Sequence, residues 1–506
     1  MKEYRLFKKI IAVLCLCLLL TSCADTTTVL HPGDATTDPQ SVLSMPYCKK
    51  DSMNPFLSTG KENRILWPLL FLSLFETDNE FKPQPLMVDT YEITPTSISM
   101  TLRSELRTPE GTELSIADVL YSFRLAQQSP QYANSLSVFA DAKIGSTANV
   151  LVFTLNKPNV NACSLLTFPV VQYGTADTEA SVPIGAGPYS LSKLNDGYCM
   201  IANPYYFDGQ PQSGQINLLD AGDESAQSFA LECGTIDCRF TDIADGEIFR
   251  SAASARRIEL LNLVFLGINF KNENLQKQTV RQALSAALDR AQITEHAFCS
   301  YALPATTPFH PAWADLQNIT NHSRDHADVQ LATAFLSAAS LQEGDDASAA
   351  NAQTQNYTLR LLYCPDNPFK AAAAKQIKEQ IEETPIRVAL VAKTAEEYKQ
   401  AIENDDYDLF LGEVLLTNDM DLSAFLFAGG TMAYGIDFEK ITCDETYTQY
   451  LNGAAELSAF ITDFTDQMPF IPVCTREGVF YTSRSLKNEV ICTPQNLFKN
   501  IFFWEK

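Results

Sequence analysis

The chain has 506 residues, 46% of them apolar and 19% charged. That is longer than one hydrophobic core usually supports and too apolar for disorder, so two or more packed domains are expected. A formal net charge of −24 repels phosphates and anionic headgroups, which argues against nucleic acid and anionic lipid as partners.

Lys2, Arg5, Lys8 and Lys9 precede an uninterrupted apolar run from Ile10 to Leu20. The run is too short to cross a bilayer as a finished helix and reads as the core of a secretory signal. Its ending, Leu20-Thr21-Ser22-Cys23, resembles a bacterial lipobox. That resemblance implies a signal peptide over residues 1–22 and a mature chain starting at Cys23, with lipid on its thiol and amine. The protein is therefore expected on the outer face of the cytoplasmic membrane, extracytoplasmic and tethered by its lipid. Removal of the signal would leave a net charge of about −27. Residues 23–41, rich in Thr, Asp and Pro, read as a flexible tether, and the globular part starts near Val42.

Ile98, Met100 and Leu102 alternate within Tyr91–Arg103, a strand signal. A turn at Pro109-Glu110-Gly111 follows. Ser115 and Asp118 then stand at capping-box spacing ahead of the helix face Ile116, Val119, Leu120 and Phe123. Leu151–Leu155 reads as a strand, and Pro183–Pro188 as a Gly/Pro loop that feeds another. Val280, Leu284, Ala287 and Leu288 share a helix face, and a second helix is expected around Val329–Leu341.

Strand and helix then alternate. Tyr357, Leu359, Leu361 and Tyr363 form a strand, and Cys364-Pro365-Asp366-Asn367-Pro368 turns into a helix rich in Ala, Lys and Glu. Ile386, Val388 and Leu390 form the next strand, Thr394 with Glu397 caps the next helix, and Asp408–Leu411 is a third strand ending at Gly412. This βαβαβ order predicts a parallel or mixed sheet covered by helices. Open α/β sheets bind ligands beyond the carboxyl ends of their strands, here Cys364–Asn367 and Gly412–Asn418.

Ten of the 13 cysteines lie beyond Cys23. None forms a C-x-x-C pair, and Cys233 with Cys238 lacks zinc-ligand spacing, so mostly free thiols are expected. The H-E-x-x-H, G-x-S-x-G and P-loop patterns are absent, so no catalytic residue, metal site or cofactor is assigned and no enzyme is expected. His322 and His326 stand i, i+4 apart and could ligate a metal from a helix, although solvated residues at a helix start are the simpler reading.

Several stretches, in order, resemble the family-5 extracellular solute-binding proteins, the oligopeptide and dipeptide receptors of ABC importers. They are Met53-Asn54-Pro55; Leu102-Arg103 with Gly111-Thr112 and Asp118-Val119-Leu120-Tyr121-Ser122-Phe123; Gly185-Ala186-Gly187-Pro188-Tyr189; Asn203-Pro204-Tyr205-Tyr206; Leu266-Gly267-Ile268-Asn269 with Val280-Arg281-Gln282-Ala283-Leu284; and Met468-Pro469-Phe470-Ile471-Pro472-Val473. The resemblance implies an α/β, two-lobed periplasmic-binding-protein-like fold (type II, cluster C) with crossover hinge strands. Lobe one would take residues 42–264 with 474–506 returning to it, and lobe two residues 265–473. The crossings would fall near Val264–Asn269 and Ile471–Thr475.

The same resemblance implies that the protein captures short peptides between its lobes and delivers them to ABC permease and ATPase subunits, and a monomer is expected. A ligand sensor without import, or a nickel or haem receptor, is the alternative in the same fold. Candidate ligand-binding residues are Met53, Asn54, Asp223, Asn269, Asn367, Gly412, Glu413, Asp419 and Tyr434. The family commonly carries Gly-Trp-x-Ala-Asp-Tyr after the third lobe-two strand, and its Asp can pair with the peptide's amino terminus. Here Leu416 stands in place of that Asp and Glu413 in place of the Trp, leaving Glu413, Asp419 or Asp421 to substitute.

Overall fold

Four sheets and two large hydrophobic cores organise the described residues. The computed structural model describes residues 42–147, 149–178, 182–246, 248–249, 251–319, 324–341 and 357–506. The signal segment, Cys23, the tether and His322 lie outside the described residues. A four-stranded sheet joins Leu43–Tyr47, parallel, to Gln215–Asp220, which continues antiparallel into Gly197–Ala202 and Tyr189–Leu194. An antiparallel sheet runs in the order Val88–Thr94, Ser97–Leu102, Val150–Leu155, Phe139–Ile144. Phe75–Thr77 and Pro83–Pro85 form a two-stranded ribbon. The largest sheet runs Cys238–Thr241, Phe470–Thr482, Ser254–Ile268, Leu409–Leu415, Thr358–Tyr363, Arg387–Ala392, with Ala302–Pro304 beside Phe470–Thr482.

Local chemistry explains these elements. Asp118 accepts from the Ser115 backbone N–H at 2.7 Å and from the Tyr173 N–H at 2.8 Å, so one carboxylate caps the helix Ile116–Gln128 and pins a distant loop. Ser122 accepts from the Val171 N–H at 2.9 Å, while Val119 and Phe123 face the core. A Cβ on Gly187 would lie 2.5 Å from the Leu70 carbonyl carbon, so that loop packs directly on the Trp67–Leu70 helix backbone. Asn203 Nδ2 donates to the Gly187 carbonyl at 3.0 Å, which locks two of the sequence motifs together.

The βαβαβ unit is present. Thr358–Tyr363 lies between Arg387–Ala392 and Leu409–Leu415, parallel to both, with helices Pro368–Ile381 and Ala395–Glu403 as the crossovers. One boundary differs from expectation. The third strand does not end at Gly412 but runs on to Leu415, because it pairs antiparallel with Asn262–Ile268 throughout. Gly412 is needed there because a Cβ would lie 2.6 Å from the Phe265 ring. The true carboxyl end is therefore Leu415–Asn418.

One core gathers Leu43 through Ile258 and Phe480 through Trp504. The other gathers Leu263 through Cys474, with Phe81 and Ile243 reaching in. Two long strands, Ser254–Ile268 and Phe470–Thr482, contribute to both cores and pair with each other. Their register breaks between Glu259 and Leu263, where the outgoing strand leaves one core and enters the other. The expected crossings at Val264–Asn269 and Ile471–Thr475 lie on these same strands. The ten cysteines of the described residues are unpaired.

Candidate functional site

A cavity of about 850 Å³ opens where the two cores meet, a volume within the range of small-ligand sites. Its walls come from the short helices Lys61–Arg64 and Trp67–Leu70, the segment Tyr206–Asp208 and the C-terminal stretch Pro494–Phe502 on one side, with Leu415–Asn418 on the other. Glu259–Asn262, the register break of the outgoing strand, lines it at the crossing. A bulged strand that re-aims its side chains is a recurrent neighbour of binding sites.

The charged groups of the wall differ in how far they are compensated. Lys61 pairs with Glu224 at 2.7 Å and with Asp242 at 3.3 Å, and Lys499 pairs with Glu76. Arg103 stacks over Phe207 at 5.7 Å. Arg64 is exposed and makes no ion pair among the described residues. Three buried polar atoms of the wall, Trp67 Nε1, Gln131 Oε1 and Glu259 Oε2, have no hydrogen-bond partner among the described residues. Burial, reinforced by Glu477 opposite, pushes the Glu259 carboxyl up to about 7.

None of the nine candidate residues lines this cavity. Met53 is buried in one core, and Asn54 beside it donates to the carbonyls of Ala176 and Thr178 at 2.9 and 3.2 Å. Asp223 and Asn367 cap the helices Glu224–Glu232 and Pro368–Ile381. Asn269 donates to the carbonyls of Asp405 and Tyr407 at 3.0 and 2.8 Å, and Tyr434 packs against the larger core. Gly412 sits under Phe265 in mid-strand.

Glu413 takes Lys370 at 2.7 Å, Arg476 at 2.8 Å and Asn262 Nδ2 at 2.8 Å. Burial raises its carboxyl pKa, but Arg476 and Lys370 outweigh that and hold it below the usual range. Asp419 accepts from Asn159 Nδ2 at 2.7 Å and from the Thr417 hydroxyl at 2.5 Å. Glu413 touches the cavity through Asn262, and Asp419 through Thr417; the structure brings the other seven to neither.

Sequence reasoning passed over Glu259, Arg64 and Trp67. A glutamate at an ordinary strand position carries no periodic or motif signal in a chain this acidic. Of the segment Gly412–Asn418, the last four residues form part of the wall and the first three lie within the strand Leu409–Leu415.

His326 lies 3.3 Å from Asp289 and is exposed. No group of three or more His, Cys, Asp or Glu among the described residues is placed to hold a metal ion. No helix among them is long and apolar enough to cross a membrane.

Residues 82–432, about two thirds of the chain, match the family of bacterial extracellular solute-binding proteins, family 5 Middle. The chain is 24% identical over 252 residues to the nickel-binding protein NikA of Staphylococcus aureus, covering 47% of this chain and 50% of that protein. It is 31% identical over 130 residues to the oligopeptide-binding protein AppA of Bacillus subtilis, covering 25% of this chain and 24% of AppA. The matched region thus spans half or less of these curated relatives. In structure it resembles the periplasmic murein tripeptide binding protein MppA in its unliganded open form. There the TM-score is 0.72 at 18% identity, over 92% of this chain and 99% of MppA, which shows the two-lobed fold. The chain belongs to the bacterial extracellular solute-binding proteins, family 5.

Proposed function

We propose that this protein captures a short peptide between its lobes and delivers it to the permease and ATPase subunits of an ABC importer. It would act as a monomer held to the outer face of the cytoplasmic membrane through lipid on Cys23. Lobe one would comprise residues 42–264 with 474–506, and lobe two residues 265–473. The observation that carries the reading is the 850 Å³ cavity at the strand crossing, with its mixed polar and apolar wall and unpaired buried donors and acceptors. Such a wall suits an extended peptide bound through its main chain. Two long strands joining the cores suit a hinge, so that ligand stabilises a closed state that the permease recognises.

The nickel-binding relative makes a metal or metal-chelate cargo the second reading. The cavity wall carries neither histidine nor cysteine, which favours the peptide. Native mass spectrometry of protein purified without refolding tests both. A distribution of short-peptide masses, lost on mild unfolding, supports the proposal, whereas a single metal or porphyrin mass replaces it with the second reading.

A further inference from the structure

The ribbon of Phe75–Thr77 and Pro83–Pro85 is rooted in one core and reaches the other with its tip. Phe75 is buried in the first core, the Thr77 N–H donates to Gln495 Oε1 at 2.6 Å, and Glu76 pairs with Lys499 of the C-terminal stretch. Phe81, at the tip, is 1% exposed and belongs instead to the second core. Its ring lies 4.5 Å from that of His310, centroid to centroid. The Glu80 carbonyl beside it accepts from the Ala314 N–H at 2.9 Å.

Both sides of this contact are braced. The Asp78 carboxylate accepts from the N–H groups of Glu80 and Lys82 at 2.9 and 3.0 Å and from Gln84 Nε2 at 2.8 Å, which ties the tip together. Phe81 has φ 56°, in the left-handed region that bulky side chains rarely enter. Such a conformation persists only where the surroundings over-determine it, and such residues gather at clamps and switches. Opposite, His310 is fully buried, and its Nδ1 accepts from the Ala312 N–H at 3.1 Å. Phe309 packs on Trp313 at 5.0 Å and on Phe460 at 5.8 Å, which steadies the segment that carries His310.

His310 and Ala314 lie on neither of the two long strands that join the cores. Phe81 also lines the cavity. The cores therefore cannot part at this edge of the cavity unless the ring leaves His310 and the Glu80–Ala314 bond breaks. We propose that the ribbon tip is a clasp between the lobes, with Phe81 as its knob and His310 as its seat, and that its release sets the rate at which ligand enters and leaves. The gating role rests on the peptide reading above; the clasp itself does not.

Hydrogen exchange on the purified, ligand-free full-length chain tests the clasp, read at the Ala314 amide on fragments spanning residues 309–316. Phe81→Ala is expected to speed that exchange about tenfold or more, the worth of one buried aromatic contact, while the amides of strand Thr358–Tyr363 keep their protection. Asp78→Ala, which keeps the ring and loosens the tip, is expected to act in the same direction. Unchanged Ala314 exchange in both variants overturns the clasp. Stopped-flow tryptophan fluorescence with a pool of tripeptides of Ala, Gly, Ser, Leu and Phe then tests the gate. Phe81→Ala is expected to raise the association and dissociation rates together by about tenfold. Faster Ala314 exchange with unchanged rates overturns the gating role and leaves the peptide reading standing. Failure of the unaltered protein to bind the pool overturns the peptide reading and the gate with it, while the exchange result alone decides the clasp.

Discussion

Asn159 Nδ2 donates to Asp419 Oδ2 at 2.7 Å, joining a loop beside one core to the segment that follows strand Leu409–Leu415 in the other. Neighbouring bonds run the same way. Val160 N–H reaches the Leu451 carbonyl at 3.2 Å, and Asn161 reaches the Tyr450 hydroxyl at 3.0 Å. Burial and nearby Asp421 push the Asp419 carboxyl up to about 6. Its folded-state pKa exceeds the unfolded value, so the stability this group allows is full below about pH 4 and declines as pH rises to about 6.

Asn159→Ala would leave the ionised Asp419 with Thr417 as its remaining side-chain donor. The expected cost is about 1–3 kcal/mol at pH 8, and less at pH 5, where the carboxyl is protonated. Thermal melts at the two pH values check this. An equal loss at both would show that the bond carries no charge-dependent weight.

Glu259 yields a second pH prediction. Its folded-state carboxyl is pushed up to about 7 from 4.5, so the folded chain holds a proton that the unfolded chain releases. Stability is lost as pH climbs from about 4.5 to about 7. The groups facing it are Glu477, itself raised by burial, and Arg257. Glu259→Gln should therefore raise the melting temperature of the unliganded protein at pH 8 and leave it nearly unchanged at pH 4.5. A variant that melts lower at pH 8 would contradict the account.

The contrast between Glu259 and Glu413 shows what sequence could and could not convey. Short-range signals were legible: the Ser115–Asp118 and Thr394–Glu397 caps, the alternation in Leu359–Tyr363, and the βαβαβ order all formed as expected. The motif residues Asp118, Gly187 and Asn203 proved to be clamps between distant loops, which is why they occur together. The two-lobed fold was legible from them. The cavity wall was not, because the residue opposite Glu259 is Glu477, in a strand far along the chain. Gly412 was read as a strand end for the same reason, since its antiparallel partner Phe265 cannot be inferred from local alternation.

Glu413 should therefore behave as structure, not as a ligand anchor. Its side chain is 13% exposed, and that of Arg476 is 5% exposed. Removing one member of such a buried pair costs about 3 kcal/mol. Glu413→Gln should lower stability by about that amount at pH 7, an effect that shrinks as pH falls through the depressed carboxyl pKa. It should leave the affinity for tripeptides intact. Loss of that affinity with unchanged stability would make Glu413 the anchor after all.

Gly187 tests the wall from behind. Its Cβ position lies 2.5–2.7 Å from backbone atoms of Leu69 and Leu70, and these residues belong to the helix Trp67–Leu70, whose Trp67 lines the cavity. An added methyl cannot be met by a rotamer change, because the obstacle is main chain. Either the helix shifts or the Gly187 loop does, at an overpacking cost of about 1–3 kcal/mol. Gly187→Ala should thus lower the melting temperature and also weaken capture of short peptides, since the Trp67 indole moves with its helix. Lys61, which sits before that helix, should keep its pairing with Glu224. If the variant melts lower but binds tripeptides as the parent does, the helix has stayed in place and the loop has absorbed the strain, and Trp67 would then keep its place in the wall.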